Sequence, residues 1–192
     1  NIVCRTELMP IMSPSGYIYC VQPKTAITLI DVLNWSIDHP EMPKIELKNQ
    51  DLQGLDFEYL NLSNSDFRGA NFDTATKISN ANFTRANLSN ADLSGKDITG
   101  TILTGADLSR TNLAGVDLSG KDLTGTRLVG VDLSGQDISD TILTGANLSN
   151  AILTGADLTN AVLTGAILTG ADLENAVLTG AILNCVGHPI CV

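Results

Sequence analysis

The sequence predicts an all-β solenoid, because a five-residue period runs through most of its 192 positions and its apolar content is aliphatic. Taking the large apolar residue of each unit as position i, one series runs Leu47, Leu52, Phe57, Leu62, Phe67 and Phe72. A second starts at Ile78 and recurs at every fifth residue to Leu183, giving 22 units and 28 in all. A period of five matches neither the helical 3.6 nor the strand 2, so neither a helix face nor a long strand keeps these residues on one side. A coil of short sides, each turning one apolar residue inward, does. Hydrophobic residues make up 43% of the chain and aromatic ones 4%, with 17 glycines. Such a core is filled by small and aliphatic side chains, and the glycines suit its bends.

Around each centre, i−2 is small and usually Ala, i−1 is usually Asp or Asn, i+1 is Ser or Thr, and i+2 is often Gly or Asn. Units such as Ala106, Asp107, Leu108, Ser109 and Ala156, Asp157, Leu158, Thr159 carry the pattern in full. Over residues 45–184 this grammar resembles that of the pentapeptide-repeat proteins. The resemblance implies a right-handed quadrilateral parallel β-helix with four pentads per coil and with i and i−2 pointing inward. On that reading 28 units make about seven coils, and a strand spacing of ~4.8 Å makes a rod about 34 Å long. The six-residue unit at residues 75–80 breaks the phase, which predicts a bulge at one corner.

A solenoid leaves backbone edges open at its ends, so both termini are expected to cover them. Residues 1–44 are expected to form an N-terminal cap with one α-helix. Its signals are Thr25 as N-cap, then Ala26, Ile27, Ile30, Leu33 and Ile37 at helical spacing, with Trp35 nearby and His39 and Pro40 closing it. Residues 185–192 form a much shorter C-terminal cap. Four cysteines fall as local pairs, Cys4 with Cys20 and Cys185 with Cys191, although the sequence permits three pairings. Bridged pairs would place the chain in an oxidising, extracytoplasmic compartment, and four free thiols in the cytoplasm. Cys185, His188 and Cys191 supply only three zinc donors in seven residues, so no metal site is expected. Residues 7–12, 14–19 and 33–35 are also similar to a U-box, which would imply a ubiquitin-ligase adaptor; the early start of the array favours the cap.

The formal charge is −10, with 11 Lys and Arg against 21 Asp and Glu. No basic field is available for phosphates, so direct nucleic-acid binding is not expected. No apolar run approaches the ~18 residues of a membrane helix, so no membrane span is expected, and the start at Asn1 predicts a processed or excised chain. The two histidines, His39 and His188, stand far apart in the chain, and the glycines form no phosphate-binding pattern. A non-enzymatic protein without a cofactor is expected.

Residues twenty apart should stack on successive coils of one side. One side then carries Thr84, Thr104, Thr124, Thr144 and Thr164 at i+1, with Ile102, Asp122, Ile142, Val162 and Ile182 at i−1. Ile102, Thr104, Thr124, Ile142, Thr144, Val162, Thr164 and Ile182 are the candidate interaction face, for an unidentified protein partner or a weak side-by-side homodimer. Its flat threonine array is also similar to ice-binding β-solenoids. The side before it stacks Asp97, Asp117, Asp137 and Asp157 into an acidic ladder, and no Lys or Arg follows Arg127. Those carboxylates either bond the local turn or offer a negative surface to a basic partner. The second option is similar to pentapeptide-repeat proteins that imitate B-DNA toward DNA gyrase, a topoisomerase. The present chain departs from them in its sparse acids and in lacking a projecting loop. Lys96, Lys121 and Gln136 occupy the inward i−2 position, where each must reach a carbonyl or a corner.

Overall fold

A computed structural model describes residues 9–12, 18–21 and 46–191. Strands β1 (Met9–Met12) and β2 (Ile18–Val21) pair antiparallel, with Met9 opposite Val21 and Met12 opposite Ile18. The sequence reading had no strand there, because Pro10 interrupts the run and the flanks carry no repeat. The helix expected between Thr25 and His39 and the bridge expected between Cys4 and Cys20 lie outside the described residues.

From Glu46 onward the chain winds as a parallel ladder. Ile142 pairs with Val162, Val162 with Ile182, and Asn147 with Ile167, each twenty residues apart. Four pentads therefore complete one turn. Three hydrogen bonds join the side at Leu143 to the next coil. The Gly145 amide donates to the Thr164 carbonyl at 2.9 Å. The i amide of Leu143 donates to the Val162 carbonyl at 2.8 Å, and the i−1 amide of Val162 donates back to the Thr141 carbonyl at 2.9 Å. At the corner the Ala146 amide returns to the Leu143 carbonyl at 3.0 Å. The turn residue at i+2 has positive φ, 65° at Gly145 and 57° at Asn150, as a type II turn requires. This geometry is why the repeat keeps Gly or Asn at that position.

The i residues and the alanines at i−2 form one continuous buried core from Leu47 to Ala171. The chain's four phenylalanines, Phe57, Phe67, Phe72 and Phe83, gather in its first coils. Phe67 meets Phe83 edge-on at 5.4 Å and Phe57 at 6.0 Å between ring centroids. The phase break lies beside this cluster, and it falls earlier than the six-residue unit drawn at 75–80. Thr76 takes the i−2 role and Lys77 the i−1 role, so the extra residue sits among Asp73, Thr74 and Ala75. Partners across it stand 21 residues apart, as in Asp56 with Lys77 and Asn71 with Asp92. Asp73 closes the corner: its Oδ1 accepts from the Thr76 amide at 2.9 Å, the Thr76 hydroxyl at 2.8 Å and the Gly54 amide at 3.0 Å. These bonds, the Thr76 hydroxyl first, hold its carboxyl below the ordinary range.

The three long polar residues at i−2 all find carbonyls. Buried Lys96 donates to Asp73 O and to Thr76 O, the latter at 3.0 Å. Lys121 donates to Ile98 O at 2.7 Å and Gln136 to Leu113 O at 3.3 Å. Burial lowers the pKa of the Lys96 ammonium against the pull of Asp73 and Asp92. Bulk at i−2 also disturbs the ladder. Asp97 and Asp117, flanking the stacked Lys96, Val116 and Gln136, form no bridge, and pairing resumes at Asp137 with Asp157, where Gln136 faces Ala156.

At the far end Val186 pairs with Ile167 and a disulfide joins Cys185 to Cys191, as the short spacing predicts. The bridge holds the last segment across one side of the final coil. Reduction is expected to speed amide exchange at Leu168, which donates to Val186 O at 2.8 Å, and to leave Leu148 unchanged. Hydrogen-exchange mass spectrometry with and without reductant reads this directly. At the corners, Gly100→Ala is expected to cost more than Gly135→Ala. Both have φ near +65°, worth about 1–2 kcal/mol for an added Cβ, but only at Gly100 would that Cβ collide with the Asn80 side chain. Thermal melts of the two variants make the comparison.

Candidate interaction faces

The array places its i−1 and i+1 side chains outward in pairs, so every side presents two parallel rows. On the predicted acidic side, Asp97, Asp117 and Asp137 are exposed and Asp157 is half-buried. Each carboxylate turns back onto its own corner. The amides of Thr99, Ser119, Ser139 and Thr159 donate to Asp97, Asp117, Asp137 and Asp157 at 2.8 to 3.0 Å. The hydroxyls of Ser119 and Thr159 add bonds of 2.6 and 2.5 Å. These donors, the neighbouring hydroxyls first, hold Asp97, Asp117 and Asp137 below the ordinary carboxylate range. Lys121 adds a favourable charge beside Asp97 and Asp117. Asp97, Asp117 and Asp137 are therefore held in the ionised form, and one oxygen of each of the four carboxylates is occupied by its turn.

On the Thr and Ile side, Ile102, Ile142 and Ile182 are 47%, 40% and 47% exposed. Val162 between the last two is half-buried, Thr104, Thr124 and Thr144 are half-buried, and Thr164 is exposed. The ladder brings Ile142, Val162 and Ile182 into direct register. Asp122 stands above Ile142 and bonds the Thr124 amide at 2.9 Å, as Asn82 does for Thr84. At Thr104, Thr144 and Thr164 the preceding i−1 residue is aliphatic, and among the described residues no acceptor takes the i+1 amide. An aliphatic residue at i−1 thus forfeits a turn hydrogen bond and exposes apolar surface at once.

Sorting by side conceals a second trend. Ile152, Ile167, Val177 and Val186 are also exposed, on the remaining sides of the last coils. Of the nine i−1 positions from Ile142 to Ile182, six are Ile or Val, whereas Ile102 is the sole aliphatic i−1 residue from Glu46 to Asp137. The aliphatic row widens into a belt toward the C-terminal end. Reading the i−1 column straight along the sequence would have shown it.

Among the described residues no group of three or more His, Cys, Asp and Glu side chains is placed to hold a metal, and none lies in a helix long and apolar enough to cross a membrane. The Cys185 and Cys191 sulfurs are bonded to each other, and His188 accepts the Ile190 amide at Nδ1.

The depressed carboxyls set a sign for acid. Their stabilising bonds are complete above the ordinary carboxylate range and are lost as pH falls through the lower folded values. Stability is expected to drop as pH falls below the ordinary carboxylate value of about 4. Asp117→Asn keeps an oxygen for Ser119 without the titration, so its melting temperature falls less over the same span. Circular-dichroism melts at successive pH values test this.

The pentapeptide-repeat family, described as "Pentapeptide repeats", matches in eight copies over residues 45–76, 74–105, 81–120, 106–145, 122–155 and 156–186. Similar solved structures include HetL, a pentapeptide repeat protein involved in heterocyst differentiation regulation from the cyanobacterium Nostoc sp. strain PCC 7120. It is 29% identical over 77% of this chain and 75% of its own, with a TM-score of 0.33. Rfr23, a pentapeptide repeat protein from the cyanobacterium Cyanothece 51142, is 33% identical over 72% and 91%, with a TM-score of 0.25. QnrB1, a plasmid-mediated fluoroquinolone resistance protein, is 17% identical over 72% and 91%, with a TM-score of 0.38. No curated protein matches. The twenty-residue ladder and the repeat match agree, and the chain belongs to the pentapeptide-repeat family, whose fold is the right-handed β-helix.

Proposed function

We propose that this protein is a rigid, non-enzymatic interaction surface: about seven coils over residues 45–184, with residues 1–44 and 185–192 as end covers. The binding element is the row of Ile102, Ile142, Val162 and Ile182 with Thr104, Thr124, Thr144 and Thr164 beside it. One observation carries the reading. The repeat stabilises its corners with Asp or Asn at i−1, and on this side Ile102, Ile142 and Val162 give up those bonds for apolar side chains that, among the described residues, nothing covers fully. β-propensity accounts for part of the preference. A contiguous apolar stripe on a stiff scaffold, with threonine hydroxyls at its margin, suits a protein partner at low ordering cost. The acidic ladder is the less favoured surface, because its carboxylates are committed to the turns beneath them.

The test uses a variant that restores the repeat's own grammar. Ile142→Asp can accept the Thr144 amide as Asp122 accepts that of Thr124, so the fold is retained. In cross-linking from native cells, the partner captured by the wild-type chain is expected to be lost with Ile142→Asp. With the isolated partner, affinity falls about tenfold or more, or ~1.4 kcal/mol. Asp137→Asn changes it less than twofold. The reverse pattern, or supercoiling inhibition by the purified chain, would transfer the role to the acidic ladder. Thermal hysteresis abolished by Thr144→Lys would replace the protein partner with ice.

A further inference from the structure

The outward cations of the array are not spread over its four sides. One side follows the bridges of Glu46 with Asp66, Asp66 with Asn87, Asn87 with Asp107 and Asp107 with Arg127. On it or at its two corners stand Lys48, Arg68, Arg85, Arg110 and Arg127, one in each successive coil. Among the described residues the other three sides carry a single outward cation, Lys77, which Asp56 and Glu58 approach at 3.5 and 3.9 Å. Two of the arginines sit where the backbone disfavours them. Arg85 and Arg110 occupy i+2 with φ of 56° and 55°, the position the repeat keeps for Gly or Asn. Each exposed side chain runs along the axis over a glycine of the next coil. Arg85 Cγ stands 3.2 Å from where a Cβ on Gly105 would be, and Arg110 Cγ 3.6 Å from that of Gly130. Arg127 comes from the opposite direction, its Nε 3.4 Å from Asp107 Oδ2. Arg68 is paired with Asp66, whereas Arg85 and Arg110 form no ion pair among the described residues, in a chain of 21 Asp and Glu.

We propose that this side binds an acidic α-helix of a partner protein, laid along the rod. The charge sets the chemistry of the occupant, since guanidinium forks suit carboxylates and two of them stand without one. The spacing sets its shape. Cations recurring once per coil lie ~4.8 Å apart along the axis, or ~19 Å from Lys48 to Arg127. A helix returns the same face every ~5.4 Å, so over four turns the two repeats drift by only about 2 Å, within the reach of long side chains. An extended strand returns a face every ~6.8 Å and drifts by as much at each step, so it cannot follow the row. A nucleic-acid strand carries charge all around it, and the remaining acidic sides of a chain of net charge −10 repel it. A helix keeps its carboxylates on one face and meets the cations alone. The site lies on a different side from the Ile142 row and does not rest on the function proposed for that row.

The probe is a stapled helix of about five turns, built from Ala and Gln, with one Glu per turn along a single face. Its control has the same composition with the Glu residues dispersed around the helix. Fluorescence anisotropy with the full chain at low ionic strength is expected to show the aligned helix binding about tenfold more tightly than the dispersed one, with the difference shrinking as salt is added. Arg85→Gly combined with Arg110→Gly weakens the aligned helix about fivefold, whereas Ile142→Asp leaves it unchanged. Both glycines restore the turn residue of the repeat, so thermal melts show the double variant to be no less stable than the wild type. Arg85→Asn with Arg110→Asn gives the same loss through a different turn residue. Equal binding of the two helices, full affinity in both double variants, or tighter binding of a single-stranded oligonucleotide or a serine phosphopeptide of the same charge would overturn the proposal.

Discussion

Everything in the array depends on the coil-to-coil backbone bond, in which the amide of one i residue meets a carbonyl nineteen residues later. Leu148 to Ile167 and Leu163 to Ile182 are two of the many instances. The bond sets the stacking height, and stacking height decides which side chains share a row. It also sets what i−2 may be. Alanine lets the coils approach, while Lys96, Val116 and Gln136 stacked together leave Asp97 and Asp117 without a bridge. The gap spans other sides of the same coils too, since Ile102 with Asp122 and Asn112 with Asp132 form no bridge, and the corners at Asp97 and Asp117 keep their own carboxylate bonds.

The core and corners were legible because one residue in five has one job. Leu108 must be buried, Gly105 must accept positive φ, and Asp107 must serve the Ser109 amide, so any deviation stands out against the period. The carbonyl partners of Lys96, Lys121 and Gln136 followed from the same logic, since an inward polar group has only backbone to meet. The disulfide at the C-terminal end was readable from proximity alone.

What escaped the reading lacks a period or is a trend across sides. The hairpin of Met9–Met12 and Ile18–Val21 precedes the array and carries no repeat signal. The extra residue was placed too late, because counting shows that a phase changes but not which corner gives way. Hydrogen bonding decides that, and Asp73 is the residue with a carboxylate to close the enlarged turn. The apolar belt of Ile152, Ile167, Val177 and Val186 was hidden by sorting on side, since it rises along the axis and not around it.

The corner at Asp73, Thr74 and Ala75 has an implication for how such chains change length. One added residue shifts all later numbering by one, yet the pairs on either side, Asp51 with Asn71 and Asn82 with Ile102, keep the twenty-residue spacing. The disturbance is absorbed within a single bend and does not propagate along the rod. Bends are therefore points of insertion tolerance, where loops can be grafted without disturbing the ladder. The sides have no such slack, because one residue added there would turn an inward leucine into an outward one.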